Sequence, residues 1–455
     1  MLAAAIAAVS VVAPASAKET VVSPGDAVQA IIDEAAAGDV IRLLPGIHRG
    51  PVILARGVTL EGAPGADLVG PGHGTVVTVA TPDAAVRGLT IRGSGTDLEK
   101  MDSGVFLAHS AERARVEGNR LEGNLFGVYV HGATDALVRG NRIIGIAQGR
   151  LNDAGNGVSV WNAPGARIID NDIRFGRDGI YVTASRNNLF SRNRARDLRF
   201  AIHYMYTNDS EVSDNVSIGN TVGFAIMYSQ RLKVRGNLSD GDRDHGLLLN
   251  YANGSEIVGN AVRGRPQPAE RWLGGGWRVA QGADHGPPVP DGPPATASGA
   301  TRIGPEKCVF IYNANNNRFR DNWFESCEIG VHFTAGSEGN DISGNAFVNN
   351  RNQVKYVGTR FLDWSKAGRG NYWSDNPAFD LDGDGIADTA YRPNDLVDRV
   401  LWTAPQAKVL VNSPAVQVIR WAQSQFPALY PGGVIDSRPL IAPPPRPTIA
   451  AGGGP

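Results

Sequence analysis

Three side chains that bind soft metal ions lie close together in this sequence. His203 and Met205 stand two residues apart in the segment AIHYM, and Met227 stands in the related segment AIMYS. In a β-strand, residues two apart point to the same face. One imidazole with two thioethers favours Cu(I) over Zn²⁺ or Ca²⁺. The pattern therefore indicates a copper site, and the alternative is an apolar patch on which methionine acts as an adaptable contact for a partner protein.

The second candidate site is an Asp-rich loop of the kind that binds calcium. Such a loop has carboxylates at positions 1, 3, 5 and 9, glycine at position 6 and a backbone carbonyl ligand at position 7. Here these positions are Asp380, Asp382, Asp384, Asp388, Gly385 and Ile386. Tyr391 stands at position 12, where an EF-hand has a bidentate glutamate, so the last ligand differs. We expect a structural Ca²⁺ site, and the alternative is a plain acidic turn.

A sequence repeat must position these side chains. Asparagines preceded by Gly, Asp or Arg recur after 22, 30, 22, 22, 22, 23, 62 and 23 residues. The series is Asn119, Asn141, Asn171, Asn193, Asn215, Asn237, Asn260, Asn322 and Asn345. The interval of 30 contains extra residues around 148–155, and the interval of 62 contains a Gly/Pro-rich loop at 265–304. An asparagine that recurs at one corner of a coil can stack into a ladder of amide hydrogen bonds.

Short apolar strands follow most of these asparagines at a spacing that leaves no room for helices between them. We therefore predict an all-β fold, a right-handed parallel β-helix of the pectin-lyase-like type over residues 18–369, with rungs about 4.8 Å apart. Alternation assigns to the core Val128/Val130, Val158/Val160, Ile180/Val182, Ile202/Tyr204, Ile226/Tyr228, Leu247/Leu249, Val309/Ile311 and Val331/Phe333. The same alternation points His203, Met205 and Met227 outward, with Met227 beside His203 on the next rung.

Both ends of such a coil need covers. Residues 24–37 are expected to form a short amphipathic helix with Asp26 as its N-cap, which covers the first rung. Residues 370–455 lose the repeat and are expected to form a tail that ends in a helix opened by Ser413 and Pro414, before a Pro/Gly-rich end. Because this helix is more apolar than an exposed helix requires, it either packs back on the coil or docks on another protein.

The N-terminal segment indicates export. Residues 1–17 contain an apolar run that ends in Ala15-Ser16-Ala17, a cleavage pattern typical of a signal peptide. Export permits a disulfide between Cys308 and Cys327 if a corner lies between them, and otherwise both are small apolar residues. With 44 basic and 45 acidic residues, the chain lacks the excess of positive charge that is typical of proteins that bind nucleic acid.

The residue types argue against an enzyme. Many parallel β-helices cut or epimerise acidic polysaccharides, and general acid–base work on a glycosidic bond needs two carboxylates about 5 to 10 Å apart. The outward positions hold Tyr, His, Met and Trp in place of paired carboxylates, and His73 stands in a lone Gly-His-Gly motif. We predict a protein without catalytic activity, and the alternative is a carbohydrate-binding or polysaccharide-cleaving β-helix.

Several segments together resemble the NosD family, the periplasmic accessory proteins of nitrous oxide reductase maturation. They are FAIHYMYTND, FAIMYSQRLKVRGN, NYWSDNPAFDLDGDGIADTAYRP and the apolar final helix. The resemblance implies a periplasmic β-helix that is peripheral to the membrane through its partners. These partners are an ABC transporter with permease and ATPase subunits, a copper chaperone and nitrous oxide reductase itself. It also implies transient handling of copper during assembly of the copper-sulfide centre, which favours Cu(I) at His203, Met205 and Met227.

Overall fold

The computed structural model describes residues 17–147, 151–268, 301–334, 336–358, 360–410, 412–426 and 432–448. The expected signal peptide, up to residue 16, and residues 269–300 of the expected loop lie outside this description. The described residues form a coil of parallel strands with three faces. This confirms the predicted all-β, right-handed parallel β-helix.

Each complete turn of the coil contributes one strand to each of three sheets, here named A, B and C in the order in which a turn visits them. Sheet A contains Glu19–Val22, Val40–Leu43, Thr59–Gly62, Ala85–Arg87, Arg115–Glu117, Leu137–Arg139, Arg167–Ile169, Leu189–Ser191, Glu211–Ser213, Lys233–Arg235, Glu256–Val258, Arg318–Arg320 and Asp341–Ile342. Sheet B contains Gly46–Arg49, Ala66–Val69, Thr90–Arg92, Arg120–Glu122, Arg142–Ile144, Asp172–Arg174, Arg194–Arg196, Val216–Ile218, Leu238–Asp240, Ala261–Arg263, Trp323–Glu325, Ala346–Val348 and Tyr372–Trp373. Sheet C contains Val52–Leu54, Val77–Val79, Ser103–Leu107, Phe126–His131, Val158–Trp161, Asp178–Thr183, Phe200–Met205, Val222–Met227, His245–Asn250, Lys307–Tyr312, Ile329–Thr334 and Asn352–Val357.

The remaining elements lie at the ends of the coil and in its insertions. The α-helices are Val28–Glu34, Leu396–Thr403 and Pro414–Gln425, and the 3₁₀ helices are Leu151–Asp153 and Pro405–Leu410. Two small sheets pair Arg265–Pro268 with Thr301–Gly304 and Leu362–Asp363 with Val434–Ile435. No helix in the described ranges is long and apolar enough to cross a membrane.

The repeated asparagines form the predicted ladder, at the corner between sheets A and B. Oδ1 of Asn193 accepts from the backbone N and Nδ2 of Asn171 at 3.1 and 2.9 Å. Asn193 donates to Oδ1 of Asn215 in the same way, at 3.0 Å for both bonds. The ladder continues past the last predicted member to Asn371 and ends on the buried carboxylate of Asp436. Each amide therefore joins two turns of the coil.

The predicted core is buried with one exception, Tyr228, for which the prediction was wrong. Tyr228 is 40% exposed and lies in the turn after its strand, with φ of 49°. The core on this rung is formed by Phe224 and Ile226, which lie beside Ile202 and Tyr204. The similar segments AIHYM and AIMYS start 24 residues apart, whereas the strand pairing keeps a period of 22, so their likeness gave a false register.

A short helix covers the first rung, as predicted, but it starts later than expected. It spans Val28–Glu34, and Val28 and Ile32 are almost fully buried against the core. Asp26 is not the N-cap, because the helix begins after Ala27 without a side-chain cap. The Asp26 carboxylate instead accepts from the backbone N of Ser23 at 2.7 Å, which stabilises the preceding turn.

The tail covers the other end of the coil. The Trp373 ring stacks on Phe347, with ring centroids 4.4 Å apart, and both side chains are buried. The last helix starts at Pro414 as predicted, and Ser413 accepts from the backbone N of Val416 as its N-cap. It packs on Leu396–Thr403, a helix that the sequence analysis did not predict.

The two cysteines form a disulfide, which resolves the alternatives left open by the sequence. Their Cα atoms are 5.6 Å apart, because a corner between sheets B and C separates Cys327 from the strand before it. The insertion leaves the coil nearby through the antiparallel ribbon Arg265–Pro268 and Thr301–Gly304. Nε2 of Gln267 donates to the carbonyl of Asp242 at 3.1 Å, which attaches the base of the insertion to the coil.

Candidate metal-binding site

The strand register of sheet C places the three soft-ligand residues differently from the sequence prediction. Met227 lies beside Met205, and the residue beside His203 on that rung is Ala225. The prediction that Met227 neighbours His203 was therefore wrong, for the same reason that misplaced Tyr228. The three side chains still share one outer face, because His203 and Met205 are two residues apart and the methionines are cross-strand neighbours.

His203 is nearly buried although it faces outward. Its side chain contacts two rings, with centroid distances of 5.1 Å to Tyr181 and 4.8 Å to Phe200. Only 7% of the residue is exposed. Nε2 of the imidazole is buried and has no hydrogen-bond partner in the described ranges. A buried polar nitrogen without a partner costs free energy unless a ligand satisfies it.

The other imidazole nitrogen of His203 contacts a buried carboxylate. Nδ1 lies 3.1 Å from Oδ2 of Asp178, and Asp178 is fully buried. The Arg199 guanidinium donates to both oxygens of this carboxylate, at 2.8 Å from Nε and 2.6 Å from Nη2. Burial raises the pKa of Asp178, but the hydrogen bonds from His203 and Arg199 outweigh it and hold the pKa at about 2. The carboxylate is therefore ionised at neutral pH.

The two methionines lie at the outer margin of this group and are half-buried. The hydroxyl of Tyr181 lies 4.0 Å from Sδ of Met205. Met227 packs against a small apolar cluster on the outer face of sheet C that includes Ala225 and Leu248. The imidazole is thus the deeper ligand of the candidate site, and the thioethers are the more accessible ones.

The remaining outward histidines of sheet C lie apart from this group. His131 lies several rungs away and contacts Trp161, with ring centroids 4.5 Å apart. His245 and His332 both contact Phe310 at centroid distances of 5.4 and 5.0 Å. Burial and nearby lysines lower the pKa of both to about 4, so they are neutral at pH 7. His245 stands beside Val222 at the far end of its strand and does not join the methionines.

The Asp-rich loop brings three of its carboxylates together. Oxygens of Asp380, Asp382 and Asp384 lie within 4.8 Å of one another. Oδ1 and Oδ2 of Asp380 accept from the backbone N of Gly383 and Gly385 at 2.7 and 2.8 Å, and these bonds lower the pKa of Asp380. Oxygen donors in this arrangement suit Ca²⁺.

Of the other two predicted calcium ligands, Asp388 is hydrogen-bonded within the loop and Ile386 lies beside the C-terminal segment. The Asp388 carboxylate accepts from the backbone N of Leu381 at 2.8 Å. Ile386 forms a β-bridge with Leu440, so the C-terminal segment supports the loop. Arg438 lies 3.4 Å from Oδ2 of Asp384 and partly balances the acidic charge.

Sequence reasoning missed Asp178 and Arg199. Both stand where strands of sheet C begin, and Asp178 pairs with Phe200, the residue after Arg199. A period of 22 does place Asp178 beside Phe200. Position 178 lies three residues before Tyr181, which is the neighbour of His203, so regular alternation would put Asp178 and His203 on opposite faces. Neither residue belongs to the apolar alternation that defines the strands, which is why the pattern did not find them.

Fold and site together define a class of protein: a parallel β-helix that carries a buried imidazole and two thioethers on one outer face. A family model described as periplasmic copper-binding protein (NosD) matches residues 145–378, which contain this group. Two relatives are each described as a probable ABC transporter binding protein NosD. The Stutzerimonas stutzeri protein is 41% identical over 400 residues, 88% of this chain and 86% of the relative. The Pseudomonas aeruginosa protein is 39% identical over 408 residues, 89% of each chain.

The chain therefore belongs to the NosD family. Its relatives are named as binding proteins, so the expectation of a non-enzymatic protein is confirmed. A solved structure that is similar is the A-module of a mannuronan C-5 epimerase from Azotobacter vinelandii. It has 16% identity and a TM-score of 0.49, with 72% of this chain and 89% of that chain covered.

Proposed function

We propose that this protein binds Cu(I) in the periplasm and supports maturation of the copper-sulfide centre of nitrous oxide reductase. The family description and the names of the relatives support copper and a transporter as its ligand and partner. One observation carries the site assignment. The buried Nε2 of His203 has no hydrogen-bond partner in the described residues, and Met205 and Met227 are cross-strand neighbours on the same face.

The ligand set suits a copper ion in transit. His203 supplies one imidazole nitrogen, and Met205 and Met227 supply two thioether sulfurs, a soft and neutral donor set that favours Cu(I). The apolar cluster beside Met227 excludes water on one side of the ion. Because both methionines are half-buried, a partner can reach the ion from the thioether side. Copper is cargo in this proposal and not a permanent cofactor.

We propose that its partners are an ABC transporter with permease and ATPase subunits, a copper chaperone and nitrous oxide reductase. The protein is then peripheral to the membrane through these partners. The last helix supports a docking role, because Val418 and Phe426 are 62% and 59% exposed although the helix packs on Leu396–Thr403. Nε of Arg420 in this helix donates a hydrogen bond to Oδ2 of Asp395 at 2.8 Å, which holds the helix and its apolar side chains in place.

A carbohydrate-binding function is the second candidate, because stacked aromatic rings occupy the outer face of sheet C below the copper group. Phe106 stacks on Tyr129 with centroids 5.7 Å apart, and His131 lies against Trp161 in a tilted arrangement. Anaerobic titration of metal-free protein with Cu(I) and, in parallel, with acidic oligosaccharides separates the two functions. We expect saturable binding of Cu(I) and no binding of the oligosaccharides. Oligosaccharide binding without Cu(I) binding would replace the copper proposal with the carbohydrate one.

We also propose a structural Ca²⁺ at Asp380, Asp382, Asp384, Asp388 and the carbonyl of Ile386. The three clustered carboxylates fit the ion, and the C-terminal segment at Leu440 and Arg438 would be ordered with it. Millimolar Ca²⁺ is expected to raise the melting temperature of the wild type by ligand linkage. The variant Asp382→Ala/Asp384→Ala is expected to lose this response. Equal melting temperatures of the wild type in chelator and in calcium would show that the loop is only a turn.

A further inference from the structure

The carboxylate that contacts His203 has several partners of its own. Asp178 is fully buried, and its backbone N donates to Oδ1 of Asn156 at 3.2 Å. Both carboxylate oxygens accept from Arg199, whose guanidinium also lies over the Phe200 ring at 4.4 Å. Arg177 adds a second positive charge at 3.9 Å from Oδ2. The backbone of Asp178 is thus bonded to the turn before it, and its carboxylate is held by the strand of the next turn, which carries Arg199 and His203.

We infer that Asp178 and Arg199 are positioning residues that determine which nitrogen of His203 binds copper, an inference that rests on the proposed function. Both oxygens of the Asp178 carboxylate accept from Arg199, so this side chain acts as an acceptor, and Nδ1 of His203 must carry the proton that it donates to Asp178. The neutral imidazole then has its lone pair on Nε2. Nε2 is the buried nitrogen without a partner, on the outer side of sheet C that also carries Met205.

The distances around Nδ1 favour this tautomer over the other. Nδ1 lies 3.1 Å from Asp178 but 3.5 Å from Nη2 of Arg199, and that Nη2 already donates to Asp178 at 2.6 Å. A bond from Arg199 to Nδ1 would leave the proton on Nε2 and remove the lone pair from the copper site. Contacts with the Tyr181 and Phe200 rings restrain rotation of the imidazole. A carboxylate that accepts from the second nitrogen of a metal-binding histidine orients the ring and raises its basicity.

The experiment compares Asp178→Asn with a matched control, Asp240→Asn. Asp240 is also buried and also accepts from an arginine, Arg263, at 2.7 Å, but it lies on sheet B. Two quantities are measured on the full chain. The Cu(I) affinity is obtained by competition with a colorimetric chelator, and the tautomer of His203 in metal-free protein is obtained from ¹⁵N NMR of its ring. The variant His203→Gln assigns the His203 signals among the 8 histidines.

We expect Asp178→Asn to weaken Cu(I) binding by about 10- to 100-fold, the usual cost of losing such a partner. An asparagine amide can turn its NH₂ toward Nδ1, so the population of the Nδ1–H tautomer should fall. Asp240→Asn should leave both quantities as in the wild type. A purely structural role of Asp178 would move the melting temperature alone and not the tautomer signal.

The inference is overturned if wild-type His203 carries its proton on Nε2, a result that does not depend on Asp178→Asn and holds even where that variant fails to fold. It is also overturned if Asp178→Asn folds and keeps both the tautomer and the affinity. In these cases the proposed function survives when replacement of Met205 and Met227 still removes copper. If that replacement leaves Cu(I) binding unchanged, the copper site itself is wrong.

Discussion

Changing Met205 and Met227 together to leucine is expected to remove Cu(I) binding at the outer face of sheet C. Leucine keeps the apolar volume of each side chain and deletes the thioether sulfur. Loss of a second-sphere partner alone weakens metal binding by about 10- to 100-fold, so the loss of two direct ligands should cost more than about 100-fold. Chelator competition under anaerobic conditions measures the affinity. In cells, nitrous oxide reductase should then accumulate without its full copper-sulfide centre.

Met101→Leu is the matched control, because Met101 is the remaining methionine after Met1 and lies outside the candidate site. This control should bind Cu(I) as the wild type does. Both variants should keep the β-rich circular dichroism spectrum and the association with the transporter. Undiminished Cu(I) binding by the double variant would assign Met205 and Met227 to a docking patch instead.

The largest loss of stability is expected from Asn193→Ala. The side chain of Asn193 satisfies the backbone N of Asn171 and the carbonyl of Ile168, at 3.1 and 2.8 Å, and all of these groups are buried. Each buried group left unpaired costs about 1 to 3 kcal/mol. The midpoint of urea unfolding should therefore fall clearly below that of the wild type.

Asn352→Ala is the control for this prediction. Asn352 is exposed at the start of a strand of sheet C, and its side chain makes a bond of 3.2 Å to the carbonyl of Glu328. Its replacement should shift the midpoint only slightly, because water can satisfy the same groups. Equal midpoints for Asn193→Ala and wild type would contradict the role of the ladder as a main source of cohesion between turns.

Local periodicity was enough to predict the coil. The recurring asparagines and the alternating apolar residues contact the neighbouring turns, so every repeat of the sequence contains them. The same reasoning predicted the wrong neighbour for Met227, because two segments with similar sequences are not separated by the period of the coil. AIHYM and AIMYS look equivalent, yet the register of the two strands pairs Ile202 with Phe224 and therefore places Met227 beside Met205.

Contacts outside the period could not be predicted from the repeat. The ladder ends on Asp436, 65 residues after Asn371, and no motif links these two positions. The pairing of Asp178 with Arg199 and His203 also uses residues at strand starts, where the apolar pattern carries no information. The outward direction of His203 was predicted correctly, but its burial follows from contacts with the Tyr181 and Phe200 rings.

The most direct test of the copper assignment is X-ray absorption at the copper K-edge on protein loaded with one equivalent of Cu(I). The proposed site predicts one nitrogen and two sulfur scatterers around each copper in the wild type. The sulfur contribution should disappear in the Met205→Leu/Met227→Leu variant. A wild-type spectrum without sulfur scatterers, or one that is the same in this variant, would contradict copper binding by His203, Met205 and Met227.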